Sequence, residues 1–251
     1  MTDQAAYVSA LIELHLGIGR EGPGDLGFSR EILGRLPTLP GDEPIADLGC
    51  GSGAASVLLA AHFGRTVVCV DMVDEFLQGL RARADRSGVA DLTAPLRADM
   101  GGLKPNQHQF SLIWSEGAAY NLTFDGALRA WRPLLVPGGL AVVSELSWFT
   151  DRRPAEPSGF WDAAYPAMGG EGENIETAER QGFEVLFVER LPAEAWWPNY
   201  YTPLLAGADR LEAQASPVMQ DVITELRREA GLFRRFSDDY GYAFYVLRRP
   251  G

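Results

Sequence analysis

The residues best suited to chemistry form a glycine loop with an acidic residue at its start. The loop, Asp47-Leu48-Gly49-Cys50-Gly51-Ser52-Gly53-Ala54, follows an apolar segment and opens a predicted helix. Glycines allow the backbone to turn sharply and approach a ligand, and free amides at a helix N-terminus point toward that ligand. Strand-to-helix turns without ligands also use glycine, and the Gly49–Ala54 spacing also fits a dinucleotide-binding fingerprint.

Asp47 distinguishes between these interpretations. A carboxylate at the start of the loop repels the pyrophosphate of a dinucleotide and attracts a ligand that carries an ammonium group. The alternative role of Asp47 is to cap the turn that follows. Cys50, inside the loop, has no neighbour in the sequence that would activate its thiolate, and it is interpreted as a small loop residue.

Two further acidic residues follow later predicted strands. Asp71 closes the second strand, where its carboxylate can accept hydrogen bonds from both hydroxyls of a ribose, although aspartate is equally suited to capping a helix. Asp99 ends the third strand region and can accept from an adenine amino group, while the thioether of Met100 can pack against the ring. Taken alone, Asp99 would be interpreted as a surface residue.

The elements that position these residues alternate along the chain. Almost continuous apolar runs predict strands that are buried on both faces of a parallel sheet, at 44–48, 66–70, 110–114 and 140–146. Helices are predicted between them at 54–63, 73–87 and 125–135, the last ended by a Pro137-Gly138-Gly139 turn. Residues 151–172 are rich in proline and glycine, and further elements are predicted at 174–181 (helix), 183–191 (strand), 203–235 (helical) and 240–249 (strand). Strand–helix alternation predicts a doubly wound α/β sheet.

The order of these motifs resembles the class I S-adenosylmethionine-dependent methyltransferases. The resemblance implies a Rossmann-like, seven-stranded α/β sheet, mostly parallel with an antiparallel last strand, and S-adenosyl-L-methionine as cofactor. It implies that Asp47, Gly49, Gly51 and Gly53 hold the methionine end of the cofactor. The rest of the implied cofactor site is Asp71 at the ribose, Asp99 and Met100 at the adenine, and Met72, Ser115 and Glu116 beside them.

Residues 113–149, with an upstream Glu21-Gly22-Pro23-Gly24, are similar to a bacterial small-molecule subgroup that is related to ubiquinone/menaquinone-biosynthesis-type methyltransferases. We expect one domain, 1–251, with a core at 40–191 and 239–249. Residues 1–36 would form an N-terminal helical lid that brings Tyr7 or His15 toward the cavity, and residues 192–238 would form a cap insert before the last strand.

Methyl transfer from a sulfonium is an in-line displacement, so positioning can supply most of the catalysis, and a base is needed only for a protonated acceptor. The catalytic candidates are Glu116, Tyr120 and Glu145. Glu116 has an alternative role as a cap or as the ion-pair partner of Arg129 or Arg132. Aromatic residues in proline-rich segments favour a pocket for a planar or cationic small molecule, although packing in the core is the alternative for each one alone. The pocket candidates are Asn121, Trp148, Trp161, Tyr165, Trp196, Trp197 and Tyr200.

Composition narrows the partners of this 251-residue chain. Lys and Arg number 22 against 34 Asp and Glu, a net charge of −12, and no basic run reverses the sign locally. Nucleic acids and anionic membranes are therefore poor partners. The three histidines lack metal-ligand spacing, so no metal site is expected, and two cysteines suit free thiols in the cytoplasm. Two rival functions stay open: an NAD-type oxidoreductase and a non-catalytic cofactor-binding protein. The oligomeric state is not predicted.

Overall fold

A seven-stranded sheet forms the centre of the fold. The structure, a computed structural model, describes residues 4–251. The strands are β1 (Ile45–Leu48), β2 (Val67–Asp71), β3 (Thr93–Arg97), β4 (Phe110–Ser115), β5 (Leu135–Trp148), β6 (Glu184–Arg190) and β7 (Tyr240–Arg248). They lie in the order β3-β2-β1-β4-β5-β7-β6, and β7 is antiparallel to both of its neighbours. The predicted sheet, mostly parallel with an antiparallel last strand, is confirmed.

Helices cover the sheet on both faces. They are α1 (Gln4–His15), α2 (Leu26–Gly34), α3 (Ala54–Phe63), α4 (Asp74–Arg86), α5 (Phe124–Trp131), α6 (Ala155–Ala164), α7 (Glu171–Arg180), α8 (Thr202–Leu211) and α9 (Pro217–Phe236). The helices α8 and α9 lie in the segment between β6 and β7, and α1 packs against both of them. This group of three helices forms the layer that faces the glycine loop.

Strand β1 shows why the strand sequences are apolar without alternation. Ile45 belongs to the core that includes Leu59 of α3, whereas Ala46 and Leu48 belong to the opposite core, with Trp131 of α5. Because successive side chains point to opposite faces and both faces are covered, each position is buried. The same alternation directs Asp47 toward α3.

Two predicted boundaries are corrected. Pro137-Gly138-Gly139 lies inside β5 instead of forming a turn before it. A register shift pairs Phe110 with Leu135 and Leu112 with Leu140, so β5 carries extra residues over this step, and Gly138 takes a φ of 78° there. A hairpin-like turn and such a bulge use the same residue types, so the sequence does not separate them.

The helical segment predicted at 203–235 is two helices. Pro217 begins α9, and the Ser216 hydroxyl caps it by accepting from the Met219 amide at 3.2 Å. The helix α6 lies within 151–172, a segment whose sequence is rich in proline and glycine. Pro154 precedes the first turn of this helix, and the space around Gly159 is open.

Two absences bear on function. Among residues 4–251, no helix combines the length and the apolar character that crossing a bilayer requires. Over the same described range, no three or more His, Cys, Asp or Glu side chains are grouped as a metal site would need.

The turn from β1 into α3 requires glycine at its first position. Gly49 has a φ of 75°, a left-handed conformation that disfavours residues with a Cβ atom. A Cβ atom added at Gly49 would also overlap the Cβ atom of Ala118. Gly64, at the end of α3, has a φ of 60° but open space around it.

We expect Gly49→Ala to lower the free energy of unfolding by about 2–4 kcal/mol, from backbone strain plus overpacking. The matched control Gly64→Ala should lose only about 1 kcal/mol, because backbone strain acts alone there. Urea unfolding of the two variants measures both values. Equal losses would contradict the close contact with Ala118.

Candidate functional site

A cavity of about 970 Å³ lies at the carboxyl ends of β1, β2 and β4 and extends beneath α1, α8 and α9. In open α/β sheets this edge, where the strand order reverses around β1 and β4, is where ligands bind. Ligand pockets usually hold roughly 300–1,000 Å³, so this one is large enough for two ligands side by side.

Asp47 forms the floor of the cavity beside the glycine loop. Its side chain is buried and its Oδ2 accepts from the Ser56 hydroxyl at 2.6 Å. Burial raises the pKa of Asp47 to about 7, with the nearby carboxylates Glu116 and Asp71 acting in the same direction. Within the described chain no cationic side chain forms an ion pair with Asp47. A buried carboxyl of this kind favours a cationic ligand group.

Asp71 and Asp99 both line the cavity and both also hold backbone amides. The carboxylate of Asp71 accepts from the amides of Gly51 and Val73, each at 2.9 Å, so it braces the glycine loop and the start of α4. Asp99 accepts from the amide of Gly101 at 2.8 Å. The capping role that the sequence allowed for Asp71 is therefore present, and it leaves the same carboxylate facing the cavity.

The remaining predicted cofactor residues divide into two groups. Gly49, Gly51, Met72, Met100 and Glu116 line the cavity. Gly53 and Ser115 do not. A Cβ atom at Gly53 would meet the side chain of Leu80, so this glycine serves the packing of α3 on α4. The Ser115 hydroxyl is buried and donates to the Leu48 carbonyl at 2.8 Å, so it joins β4 to β1. The structure therefore places Gly53 and Ser115, which were predicted to bind the cofactor, outside the cavity lining.

Glu116 is held by three donors. Its Oε1 accepts from the Ser29 hydroxyl and from the Trp114 indole nitrogen, both at 2.8 Å, and its Oε2 pairs with the Arg20 guanidinium. The partner is Arg20, not Arg129 or Arg132. Because both oxygens are engaged, Glu116 is placed as a structural anchor at the edge of the cavity, with its side chain only 7% exposed.

Arg20 and Glu21 are cavity residues that were not among the predicted site residues, although Glu21 begins the Glu21-Gly22-Pro23-Gly24 motif. The Nε and Nη1 atoms of Arg20 are buried and have no hydrogen-bond partner within the described part of the chain, although the residue lines the cavity. Glu21 reaches the glycine loop and accepts from the Ser52 amide at 2.8 Å. The signal that could have found both is the neighbouring Gly22-Pro23-Gly24 turn, since it places them opposite the loop.

The other half of the cavity is lined by aromatic and acidic residues. Of the predicted residues, Tyr120, Asn121, Trp161 and Tyr200 lie here, and both Tyr7 and His15 join them from α1. The acidic residues are Glu225 and Glu229 of α9, which sequence reasoning also missed. They occur among several charged residues of an amphipathic helix, so their sequence positions do not distinguish them from a solvent-exposed face.

The structure contradicts the prediction that Glu145 is a catalytic residue. It does not line the cavity, it is 1% exposed, and neither carboxylate oxygen has a partner that meets hydrogen-bond geometry. Burial raises its pKa to about 8, and the neighbouring Tyr165 hydroxyl opposes this only in part. The strand alternation of β5 directs this side chain into protein instead of into the cavity.

Four of the pocket candidates are also corrected, because the structure places them outside the cavity lining. Trp196 is stacked on Phe233 with ring centroids 4.0 Å apart, and Trp148 packs edge-on against Tyr240 at 5.6 Å. The other two are Trp197, which lies under the Arg234 guanidinium, and Tyr165, which packs against the ring of Tyr120. These rings support the cavity wall from behind.

We expect Glu145→Gln to change how stability depends on pH. The folded wild type takes up a proton as pH falls through about 8, whereas the unfolded carboxyl does so near 4.5. Wild-type stability is therefore lost as pH rises between these values, and the glutamine variant has no such loss. The stability difference should move in favour of E145Q by a few kcal/mol between pH 5 and pH 8, then stay constant.

Urea unfolding at pH 5, 6.5, 8 and 9 measures this difference. The control is Glu179→Gln, which changes an exposed glutamate of α7 and should leave the profile unchanged. Parallel profiles for wild type and E145Q would show that Glu145 is ionised in both states.

Comparison with known proteins supports these observations. Residues 45–139 match the family model of a methyltransferase domain. The uncharacterized methyltransferase YodH of Bacillus subtilis is 28% identical over 149 residues, 58% of this chain and 61% of that protein. Trans-aconitate 2-methyltransferase of Methylobacterium radiotolerans is 28% identical over 68% of this chain and 66% of its own length. The chain thus spans less than two thirds of the length of each of these two relatives.

Among solved structures, the S-adenosylmethionine-dependent methyltransferase of Geobacter sulfurreducens, in complex with S-adenosyl-L-homocysteine, has the same fold. The TM-score is 0.79 at 21% identity, covering 98% of this chain and 99% of that chain. The sheet order with its antiparallel β7, the acidic glycine loop and the matched domain agree with one another. Together they show that residues 45–139 match a methyltransferase domain and that the chain has the fold of S-adenosylmethionine-dependent methyltransferases.

Proposed function

We propose that the protein transfers a methyl group from S-adenosyl-L-methionine to a small-molecule acceptor. The observation that carries the proposal is Asp47, a buried carboxyl with no cationic partner in the described chain, at the glycine loop of a cavity. Burying a carboxylate without a counter-charge is costly, and a cationic ligand removes that cost. The ammonium of the cofactor is such a cation.

The residues present fit the cofactor at four points. Asp47 would pair with its ammonium, and the unpartnered Nε and Nη1 of Arg20 would bind its carboxylate. Asp71 would accept from the ribose hydroxyls, and Asp99, with one oxygen not used by Gly101, from the adenine amino group. Met100 would pack beside the adenine. Arg20 extends the cofactor-binding set expected from the sequence.

In the proposed reaction the chain positions the substrates and excludes water. When bound, the cofactor supplies an electrophilic methyl group on a sulfonium. The helix α1 lies against α8 and α9 and closes the side of the cavity opposite the sheet. Holding an acceptor in line with the methyl group converts the step into an effectively intramolecular one. This role accounts for the absence of a free catalytic carboxylate at Glu116.

The negative charge of the carboxyl groups at the glycine loop argues against the rival NAD-type function. A dinucleotide would bring its pyrophosphate to a loop whose Gly51 and Ser52 amides already donate to Asp71 and Glu21. The carboxyl group of Asp47 lies beside them and would repel the pyrophosphate when it is ionised. The rival non-catalytic function predicts cofactor binding without turnover, and methyl transfer to an acceptor distinguishes it from the proposed activity.

The acceptor is a separate matter from the cofactor. One relative is named for trans-aconitate, and that substrate is not carried over to this chain. We propose a small molecule because the acceptor half of the cavity is enclosed by α1, α8 and α9.

The two cysteines, Cys50 and Cys69, are free and buried, which supports a reducing compartment such as the cytoplasm.

We expect S-adenosyl-L-methionine to bind in isothermal calorimetry while NAD gives no heat. Asp71→Ala should weaken the binding by roughly 10- to 100-fold, because hydrogen bonds to a charged acceptor contribute about 1.5–3 kcal/mol. The matched control is Asp74→Asn. Asp74 pairs with Arg97 on the surface at the start of α4, and its variant should bind like wild type. Preferential binding of NAD would overturn the proposal.

We also expect the affinity for S-adenosyl-L-methionine to depend on pH through Asp47. In the free protein Asp47 holds a proton below its pKa of about 7, and it must lose that proton to pair with the ammonium. The affinity should therefore rise between pH 6 and pH 7 and level off near pH 8. Asp47→Asn keeps a partner for Ser56 but should bind weakly and lose this dependence. An unchanged pH profile in D47N would assign the titration to another group.

A further inference from the structure

We propose that the methyl acceptor is an amine, bound as its ammonium form between Glu229 and the tyrosines that surround it. This inference rests on the proposed function, since it names the substrate class of the same cavity. The binding region is called the tyrosine chamber below, and it consists of Tyr7, Tyr120, Trp161, Tyr200, Glu225 and Glu229.

Glu229 is the central charge of the tyrosine chamber. It is half-buried on α9, it lines the cavity, and its Oε1 accepts from the Tyr201 hydroxyl at 2.7 Å. Tyr7, Tyr120 and Tyr200 line the same cavity, and the charge of the Glu229 carboxylate adds to burial in raising the pKa of each of them. Its Oε2 has no hydrogen-bond partner in the part of the chain that the structure describes. A donor from a ligand can therefore reach it.

Glu225 adds a second carboxylate one helical turn earlier. It accepts from the Tyr7 hydroxyl of α1, so it links the N-terminal helix to α9. Like charges four residues apart repel each other, and Glu225 helps to raise the pKa of Glu229 to about 7 in addition to the larger effect of burial. Two neighbouring carboxylates at a cavity wall are stabilised by a cation that binds between them.

The cavity offers no free cation for an anionic acceptor. Among its described lining residues the only Lys or Arg is Arg20, which is paired with Glu116 and lies at the glycine loop. His15 is half-buried, and the loss of solvent around its ring lowers its pKa and favours the neutral form. Its Nδ1 lies 2.7 Å from the Leu11 carbonyl oxygen. A carboxylate or phosphate in the chamber would meet Glu225 and Glu229 without a counter-charge.

Aromatic faces complete the selectivity. Tyrosine and tryptophan rings attract cations through their negative faces, and this attraction is strongest where water is excluded. Tyr7, Trp161 and Tyr200 come from α1, α6 and the segment before α8, so three separate elements converge on the chamber. A carboxylate surrounded by such rings suits an alkylammonium group better than a neutral alcohol.

Glu229 also provides the proton acceptor that an ammonium needs. The ammonium N–H gives its proton to the Glu229 carboxylate, which leaves a neutral amine with a free electron pair. That pair forms the new N–CH₃ bond while the methyl–sulfur bond breaks and its electrons stay on sulfur. The product is the N-methylated ammonium, the sulfide form of the cofactor and a protonated Glu229, so charge and atoms balance. A protonated Glu229 returns its proton to solvent after product release.

The test uses matched probes on the full-length protein saturated with S-adenosyl-L-homocysteine. Phenethylamine, phenethyl alcohol and 3-phenylpropanoate share a ring and differ in the head group, and butylamine, butanol and butyrate repeat the comparison without the ring. We expect an amine to bind at least 10-fold more tightly than its alcohol and carboxylate partners. Glu229→Gln should remove that preference, whereas Glu179→Gln, on the distant surface of α7, should retain it.

Turnover with deuterium-labelled S-adenosyl-L-methionine and mass spectrometry should place the label on nitrogen. If no amine binds ahead of its matched partners in either series, or if E229Q keeps the preference, the inference is overturned. The affinity for S-adenosyl-L-homocysteine separates this failure from a failure of the proposed function, because it should stay within about two-fold in E229Q. If the wild-type protein does not bind S-adenosyl-L-homocysteine, the proposed function is overturned instead.

Discussion

The carboxyl ends of neighbouring parallel strands meet at one edge of the sheet, and the rest of the site depends on this constraint. It brings Asp47 near the end of β1, Asp71 at the end of β2 and Glu116 just after β4 to the same space, although they are far apart in sequence. Their charges then act on one another, and Glu116 and Asp71 both help to raise the pKa of Asp47. The glycines of the loop permit this crowding because the backbone must pass close to Ala118 and Glu21.

The segment between α1 and α2 contributes both an ion pair and a hydrogen bond at this edge. Arg20 pairs with Glu116, and Glu21 accepts from the Ser52 amide of the glycine loop. Among residues 4–251 no cationic side chain pairs with Asp47, although the charge of Arg20 offsets part of the rise in the pKa of Asp47, and the Nε and Nη1 atoms of Arg20 have no acceptor there. An amino-acid group carries both of the complementary charges, so one ligand end can satisfy both residues. The N-terminal segment thus contributes side chains to the cavity that the proposed function assigns to the cofactor.

The two ends of the cavity differ in how their carboxylates are arranged. At the glycine loop the acids accept from backbone amides and from Ser56, and the fold itself determines their positions. Beneath α9, Glu225 and Glu229 accept from tyrosine hydroxyls of other elements. The first arrangement involves residues at the strand ends and in the glycine loop, and the second joins side chains of α1, α9 and the segment before α8.

The sequence by itself determined the sheet, the glycine loop and the acidic residues at the strand ends. These features depend on local patterns, namely apolar runs, loop glycines and the order of motifs along the chain. It did not determine which aromatic rings face the cavity, because Trp161 and Tyr200 differ from Trp148 and Trp196 only in their packing partners. Only the tertiary structure decided that Arg20 pairs with Glu116, that Glu145 is sealed inside the protein, and that Glu229 faces the cavity. A long-range contact depends on how whole elements pack together, and neither residue type nor spacing records that packing.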